Sequence, residues 1–363
     1  MRTLSLLAVL AVSASSVGAQ TPAPASRRTE GDFVVRDFRL RSGAVLPELR
    51  QHYTTIGTPA RDAAGGITNA VLLLHGSSGD ASQLLAPSFS EALFGPGQPL
   101  DAARYFLILP DALGNGGSTK PSDGLKARFP KYGYEDMVVA QHRLITEHFG
   151  IQRLRLVTGI SMGGMQTWLW GIRYPDMMDG LVPISSQPVA IRGRNLLWRR
   201  ILAGAIRNDP EWNGGDYTEQ PRGFLSIMPM FEMLVQNPTV LEESLTSYAA
   251  ADEYLDEVEE ETLEEDDANN ILYRFEASFD YDPEAELGRI RAPLLAILFA
   301  DDELNPPELG VMERVMRRVP SGRYFLLAAG PSSQGHRNQV QAALWRDRLA
   351  AFLSSLPPVA GQR

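Results

Sequence analysis

The chain of 363 residues contains no cysteine. Disulfide bonds, thiolate metal ligands, a cysteine nucleophile and a lipid-modified N-terminal cysteine are therefore excluded. Nucleophilic and acid–base chemistry must instead use serine, carboxylates and histidine. Without disulfides, the fold must be stabilised by its hydrophobic core, which a chain of this length is able to bury.

An excess of basic residues is also missing. The chain has 34 Lys and Arg against 44 Asp and Glu, which gives a formal net charge of -10. Nucleic acids and anionic membranes both require a basic face on a protein that binds them. We therefore expect neither as a partner, and we expect a small-molecule acyl substrate once the motifs below are considered.

No segment of the sequence is long and apolar enough to span a bilayer, including the short N-terminal run LSLLAVLAV. That run follows a basic start and precedes small residues that end in Ala19. This pattern predicts a signal peptide over 1–19 rather than a membrane anchor, followed by a flexible tether over 20–32. It indicates an exported protein, either periplasmic or secreted.

Short apolar runs alternate with helical stretches such as 134–150, which ends at Gly150. Continuous apolar runs of this length are typical of buried parallel strands. The alternation predicts an α/β fold with a doubly wound, mostly parallel sheet, whose core covers 33–188 and 289–357. Six strands are predicted, over 69–76, 105–111, 154–159, 181–186, 293–300 and 322–330.

The alternation is interrupted over 189–288, where the sequence is helical and poor in strands. An insertion of this size predicts a helical cap above the edge of the sheet. Within it, 11 of the 16 residues from Asp252 to Asp267 are acidic. The spacing matches no compact metal-binding loop, so a solvated helix face or loop is favoured over a cation site. We expect no metal and no cofactor.

The motif Gly-Ile-Ser-Met-Gly-Gly, centred on Ser161, follows the third predicted strand and precedes an amphipathic helix. Small residues on both sides of the serine allow a sharp turn from strand to helix. Such a turn lifts the hydroxyl group above the edge of the sheet, with the positive end of the helix beneath it. An ordinary glycine-rich turn with a serine cap is the alternative. The motif predicts that Ser161 is a nucleophile if the chain also supplies a base and an acid.

His336 is the best candidate for the base, because it follows the last predicted strand, in the chain order Ser, Asp, His. The orienting acid should follow the preceding strand, where Asp301 and Asp302 are adjacent. The pattern alone does not choose between these two carboxylates. The other histidines lie before the core strands, at a strand end or on a flanking helix: His52, His75, His142 and His148.

Two backbone N–H groups should stabilise the oxyanion. One belongs to Met162, which follows the nucleophile. The other should come from the loop after the first predicted strand, where Gly76 and Gly79 allow a tight turn and Ser77 is the expected donor. In this interpretation His75 holds the loop by hydrogen bonding and is not the base.

With these residues in place, the chain resembles the α/β-hydrolase superfamily, and more narrowly its homoserine O-acetyltransferase branch. The resemblance covers nearly all of the chain beyond its N-terminus. It implies Ser161 as nucleophile, His336 as base and Asp302 as acid, and a dimer formed through the cap. The stretches that carry it are NAVLLLHGSSGDAS, ALGNGGSTKPSD, GISMGGMQTW, AIRNDPEWNGGDY, ADDELNPPE and GHR.

Two positions depart from the family pattern. Arg337 follows His336 where the family has an Asp for the substrate's amino group, and Ala203 replaces an Arg that holds the substrate's carboxylate. Arg199 or Arg200 would fill that role if the alignment were shifted, and Arg207 and Arg222 are further candidates for binding the carboxylate. Because a charged hydrogen bond contributes about 1.5–3 kcal/mol, we expect poor binding of a zwitterionic amino acid.

The sequence therefore predicts an exported carboxylic ester hydrolase in which water releases the acyl group. The alternative is acyl transfer to an alcohol, as in homoserine O-acetyltransferases. A third interpretation is a non-catalytic binding protein on the same fold.

Overall fold

The computed structural model describes residues 27–357. The predicted signal peptide lies outside these residues, so export and cleavage after Ala19 stay predictions. Part of the predicted tether is described, and it is not a tether. Residues 28–32 begin the first strand, because their backbone pairs with the far end of the second strand, where Arg28 lies opposite Ile56.

Eight strands form one mostly parallel sheet, in the order β1-β2-β4-β3-β5-β6-β7-β8. The six predicted strands are confirmed as β3 to β8. The antiparallel pair β1 and β2 was not predicted, and β2 joins the sheet antiparallel to β4. The strands are β1 (Arg28–Arg39), β2 (Val45–Ile56), β3 (Ala70–Leu74), β4 (Phe106–Pro110), β5 (Leu156–Ile160), β6 (Leu181–Ile184), β7 (Leu294–Phe299) and β8 (Gly322–Leu327).

The central strands are apolar on both faces because helices cover the sheet on both sides. In β3, Leu72 and Leu74 pack into one hydrophobic cluster, whereas Val71 and Leu73 pack into another on the opposite face. This two-residue alternation follows from the pleat of a strand. The doubly wound α/β fold predicted from the sequence is therefore confirmed.

Eleven α-helices are present in residues 27–357. Helices α3 and α4 cover one face of the sheet, while α1, α2 and α11 cover the other. The helices are α1 (Ala81–Leu85), α2 (Pro87–Leu93), α3 (Tyr134–Arg143), α4 (Met162–Arg173), α5 (Gly193–Arg207), α6 (Arg222–Val235), α7 (Pro238–Ser244), α8 (Tyr248–Glu265), α9 (Ala268–Glu276), α10 (Val311–Val315) and α11 (Arg346–Ser355).

Helices α5 to α9 lie between β6 and β7, inside the predicted cap, 189–288. Their buried side chains form a third hydrophobic cluster, in which Trp198 stacks on Phe231 with the ring centroids 4.9 Å apart. A separate cluster gives these helices a core of their own. We refer to α5 to α9 as the cap, and the division of the chain into domains stays a prediction.

No helix in the described part of the chain is long and apolar enough to cross a membrane.

Candidate active site

Ser161 occupies a sharp turn between β5 and α4. Its φ of 49° and ψ of -112° are strained values for a residue other than glycine. The Ser161 N–H donates to the Ile184 carbonyl at 3.0 Å, which ties the turn to the neighbouring strand β6. A strained serine between a strand and a helix is the geometry expected of a nucleophile elbow.

The glycines around Ser161 are required by close backbone contacts. A Cβ atom on Gly163 would collide with the Leu74 carbonyl group at the end of β3. A Cβ atom on Gly159 would collide in the same way with the carbonyl of Gly163. Helix α4 can therefore begin directly against the sheet only because both positions lack a side chain.

His336 lies in a short 3₁₀ segment that follows β8, and its ring joins the serine to a carboxylate. The ring atom Nε2 is 2.8 Å from Ser161 Oγ, and Nδ1 is 2.8 Å from Asp302 Oδ2. Both His336 and Asp302 are buried. The three residues predicted from the sequence therefore form one continuous hydrogen-bonded chain.

The structure separates the two adjacent carboxylates. Asp302 faces His336 and also accepts hydrogen bonds from the Leu304 N–H at 3.0 Å and from Asn305 Nδ2 at 3.0 Å. These donors fix the orientation of the carboxylate. Asp301 makes no hydrogen bond to His336 and instead bonds to the loop that carries it, through the Gly335 N–H at 2.7 Å.

The two predicted oxyanion donors, Met162 and Ser77, are on different elements near Ser161. Met162 is the first residue of α4, so its N–H has no acceptor within the helix. Ser77 is buried and borders the same cavity as Ser161, and its carbonyl accepts a hydrogen bond from Arg274 at 2.9 Å. The donation of either N–H to an oxyanion stays a prediction.

His75 holds the oxyanion loop. Its Nε2 accepts from the Ala112 N–H at 2.9 Å, which places the proton on Nδ1, 2.7 Å from the Gly76 carbonyl. Burial lowers the pKa of His75, and this also favours the neutral ring. Both ring nitrogens are occupied, so His75 is not available as a base.

The remaining histidines have partners outside the cavity that Ser161 borders. His52 is 2.8 Å from Asp32, His142 stacks on Tyr174 with a centroid separation of 3.9 Å, and His148 is 2.7 Å from the Tyr53 hydroxyl group.

A cavity of about 320 Å³ lies between the end of the sheet and the cap. The core side contributes Ser77, Ser161 and His336 to its wall. The aromatic and apolar side chains that the cap contributes are Trp198, Met228, Phe231, Val235, Val258 and Phe275. An acyl group and a small acceptor would therefore meet Ser161 beneath a roof that includes three aromatic rings.

The cap also brings charged groups to the cavity that the sequence did not reveal. Arg337 forms an ion pair with Glu232 of α6, so its charge is compensated. Burial raises the pKa of Glu232, and the charge of Arg337 opposes this shift. Arg337 therefore does not support the expected poor binding of a zwitterionic amino acid, since a carboxylate accompanies it at the cavity wall.

Arg199 of α5 also lines the cavity. Its guanidinium group donates to the Phe275 carbonyl at 3.0 Å, to Ser278 Oγ at 3.2 Å and to Asn195 Oδ1 at 2.9 Å. All three acceptors are uncharged. Ala203 is buried one helical turn further along α5, so the two residues share one face of the helix.

The acidic segment forms most of α8, whose buried positions are Val258 and Thr262. Three of the segment's carboxylates, Glu261, Glu265 and Asp266, line the cavity. Among residues 27–357, no group of three or more His, Asp or Glu side chains is arranged to hold a metal ion.

Comparison with known proteins supports the resemblance seen in the sequence. Residues 69–232 match the family model described as the alpha/beta hydrolase fold. A probable acyltransferase from Methanothermobacter thermautotrophicus is 30% identical over 88% of this chain and 96% of its own length. A homoserine O-acetyltransferase from Haemophilus influenzae is 30% identical over 84% of this chain and 92% of its own.

A solved structure shows that the fold is shared as well. The crystal structure of homoserine O-acetyltransferase from Bacillus anthracis matches with a TM-score of 0.78 and 23% identity. The match covers 92% of this chain and 99% of the other.

These matches correct the reaction expected from the sequence. The main interpretation of the reaction, carboxylic ester hydrolysis, is wrong, because relatives aligned along nearly their full length are described as acyltransferases. The expectation relied on Ala203, on Arg337 and on the predicted export, and it did not foresee the carboxylate that Glu232 brings to Arg337. The chain is an enzyme that belongs to the α/β-hydrolase superfamily, in its homoserine O-acetyltransferase-like branch.

Proposed function

We propose that this enzyme transfers an acyl group from a donor to the hydroxyl group of a small acceptor, through an acyl-enzyme on Ser161. The observation that carries the proposal is the hydrogen-bonded chain from Ser161 through His336 to Asp302. This chain lies at the floor of a capped cavity, in a protein related to acyltransferases along nearly its full length.

In the first half-reaction, His336 Nε2 accepts the proton of Ser161 Oγ as the oxygen attacks the acyl carbonyl of the donor. The negative charge that develops on the carbonyl oxygen is stabilised by the N–H groups of Ser77 and Met162. Asp302 orients the ring and stabilises the imidazolium. His336 then returns the proton to the leaving group, and the acyl group remains on Ser161.

In the second half-reaction, the hydroxyl group of the acceptor takes the place of the leaving group. His336 accepts its proton while the oxygen attacks the acyl-enzyme, and the ester product leaves as Ser161 regains its proton. Water would react by the same route. The aromatic roof formed by Trp198, Phe231 and Phe275 favours an acceptor that fills the cavity and excludes water.

Homoserine is the first acceptor to test, because it is the substrate in the name of the Haemophilus influenzae relative. Arg199 supports this choice, since its guanidinium group has only uncharged partners and lies on the helix face of Ala203. It would bind the carboxylate. Glu261 and Glu265, which line the cavity, would attract the ammonium group.

The decisive experiment measures acetyl transfer from acetyl-CoA to homoserine, and hydrolysis of acetyl-CoA, in the same preparation. We expect the ester of homoserine to form faster than free acetate. Release of acetate at a rate that homoserine does not change, with no ester formed, would contradict the proposal.

Replacement of Arg199 by Gln tests the acceptor site. Loss of one charged hydrogen bond, about 1.5–3 kcal/mol, should raise the KM for homoserine by about 10- to 100-fold. The kcat with an uncharged alcohol should stay close to that of the wild type. Arg200→Gln is the matched control. The Arg200 side chain is exposed, and its one ion pair, with Glu276, is long at 3.5 Å.

A further inference from the structure

Asp301 is adjacent to the acid of the triad, but its carboxylate makes a separate set of contacts. Oδ2 accepts hydrogen bonds from Asn237 Nδ2 and from the Gly335 N–H, both at 2.7 Å. Oδ1 accepts from Asn338 Nδ2 at 2.8 Å. The Asp301 side chain is thus bonded to the junction between α6 and α7, through Asn237. It is also bonded to the loop that carries His336, before the histidine at Gly335 and after it at Asn338.

The two asparagine side chains are themselves fixed. Asn237 caps α7, since its Oδ1 accepts from the Thr239 N–H at 2.8 Å. Asn338 Oδ1 accepts from the Gln334 N–H at 2.8 Å. Each amide must therefore direct its NH₂ group at Asp301, and both asparagines are buried. The contacts require a side chain that only accepts hydrogen bonds, which at this position is a carboxylate.

The loop is also packed directly against the cap. Gly335 has a φ of +64°, and a Cβ atom there would lie 2.9 Å from the Val235 carbonyl and 3.0 Å from the Asn237 nitrogen. On the other side of His336, Arg337 pairs with Glu232 of α6. Both neighbours of His336 are therefore attached to α6 or to the residues that follow it.

From these contacts we infer that Asp301 is a positioning residue that holds the His336 loop against the α6–α7 junction, so that the alignment of the base depends on the position of the cap. Asp301 contacts neither Ser161 nor the His336 ring. It acts through the backbone at Gly335 and through Asn338. The inference rests on the proposed roles of Ser161 as nucleophile and His336 as base.

The test measures the rate at which a fluorophosphonate modifies Ser161, because this reaction needs an aligned base and no acceptor. Asp301→Asn should lower the maximal rate of modification by about 10- to 100-fold, since a misplacement near 1 Å can cost about 10²-fold. The concentration of probe that gives half the maximal rate should not change. Glu303→Gln is the control, because it also converts a carboxylate to an amide, two residues away. Glu303 forms a partly exposed ion pair with Arg194, and this variant should react like the wild type.

A second background separates positioning from general damage to the fold. In the His336→Ala protein, further replacement of Asp301 by Asn should leave the residual rate unchanged, because the residue it positions is gone. An equal loss in both backgrounds would overturn the inference, as would Asp301→Asn reacting at the wild-type rate.

Asn237→Asp tests the hydrogen bond between Asn237 and Asp301. It also replaces Asp301→Asn as the test variant if that protein fails to fold. It keeps the cap of α7 and replaces the NH₂ donor by an oxygen that repels Asp301. We expect a loss of about 10-fold or more, by the same loss of alignment. A wild-type rate for this variant would overturn the inference. Failure of the wild-type protein to react at Ser161 would instead contradict the proposed function.

Discussion

The sheet and the cap contribute to the active site in different ways. The groups expected to react follow directly after buried strands, with Ser161 after β5 and Asp302 after β7. The cap helices have a core of their own, yet they expose large apolar side chains such as Leu197 at 61% and Met233 at 64%. The sheet positions Ser161 and Asp302, whereas the cap determines which charges and surfaces a substrate meets and contacts the loop that carries His336.

The largest effect should come from the nucleophile. Ser161→Ala should lower acyl transfer by about 10⁶-fold, as expected when a triad serine is removed, and should abolish labelling by a fluorophosphonate. Circular dichroism should show an unchanged fold. Ser354→Ala, in an exposed part of α11, is the control. Undiminished labelling of Ser161→Ala would assign the chemistry to another serine.

Asp302→Asn should have the next largest effect, a loss of turnover of about 10⁴-fold, because an amide at this position favours the wrong tautomer of His336. Asp301→Asn should cost much less, since Asp301 does not contact the ring. Steady-state kinetics of both variants decides the order. The reverse order would show that Asp301 is the acid, against the geometry described here.

Replacing one glycine beside the sheet and one in the cap by alanine tests how closely the backbone is packed at each place. Gly163→Ala would force a Cβ atom onto the Leu74 carbonyl and should lower the free energy of unfolding by about 1–3 kcal/mol. Gly204 lies in α5, where the nearest atom to a Cβ would be Asn208 Nδ2 at 3.8 Å. Gly204→Ala should therefore stabilise the protein by about 0.5–1 kcal/mol.

Urea unfolding of both glycine variants measures these changes. We expect the backbone to be packed more closely at Gly163 than at Gly204. Equal destabilisation by the two replacements would contradict this, because it would mean that α5 is packed as closely as the start of α4.

The smallest effect concerns the acidic face of α8. Burial, and after it the charges of Asp266 and Glu261, raise the pKa of Glu265. The folded state then binds more protons than the unfolded state between the two pKa values. The stability that protonation contributes is present below the unfolded pKa and is lost as the pH rises through the folded pKa.

Glu265→Gln should therefore stabilise the protein at pH 7 by about 0.2–0.5 kcal/mol, the cost of a like-charged pair on a helix. It should have almost no effect near pH 4. Unfolding curves at both pH values test this, with Glu243→Gln on α7 as the control. A gain of the same size at both pH values would exclude the charge as its cause.

The sequence predicted the sheet well because each central strand is a continuous apolar run that ends in a recognisable turn. It also predicted which side chains would meet, since the carboxyl ends of β3, β5 and β7 share one edge of the sheet. The choice between Asp301 and Asp302 required the resemblance, and the structure brings Asp302 to His336.

Other contacts could not be predicted, because they join residues far apart in the chain without a local pattern. The partner of Arg337 is Glu232, 105 residues away. The contacts of Asp301 with Asn237 and Asn338 span 64 and 37 residues. The pairing of β1 with β2 was also missed, since these strands are rich in polar and charged residues and show neither a continuous apolar run nor a regular alternation. The homodimer stays a prediction.

The wide spacing of the triad along the chain has a consequence for folding. Ser161 and His336 are separated by 175 residues, and His336 and Asp302 by 34. The bond between His336 and Asp302 requires β7 and β8 to pair, whereas the bond between His336 and Ser161 requires β5 to β8 to have paired in register. Contacts between residues as distant as Ser161 and His336 form slowly. During refolding from urea, the return of reactivity at Ser161 should follow the return of secondary structure and coincide with completion of the sheet.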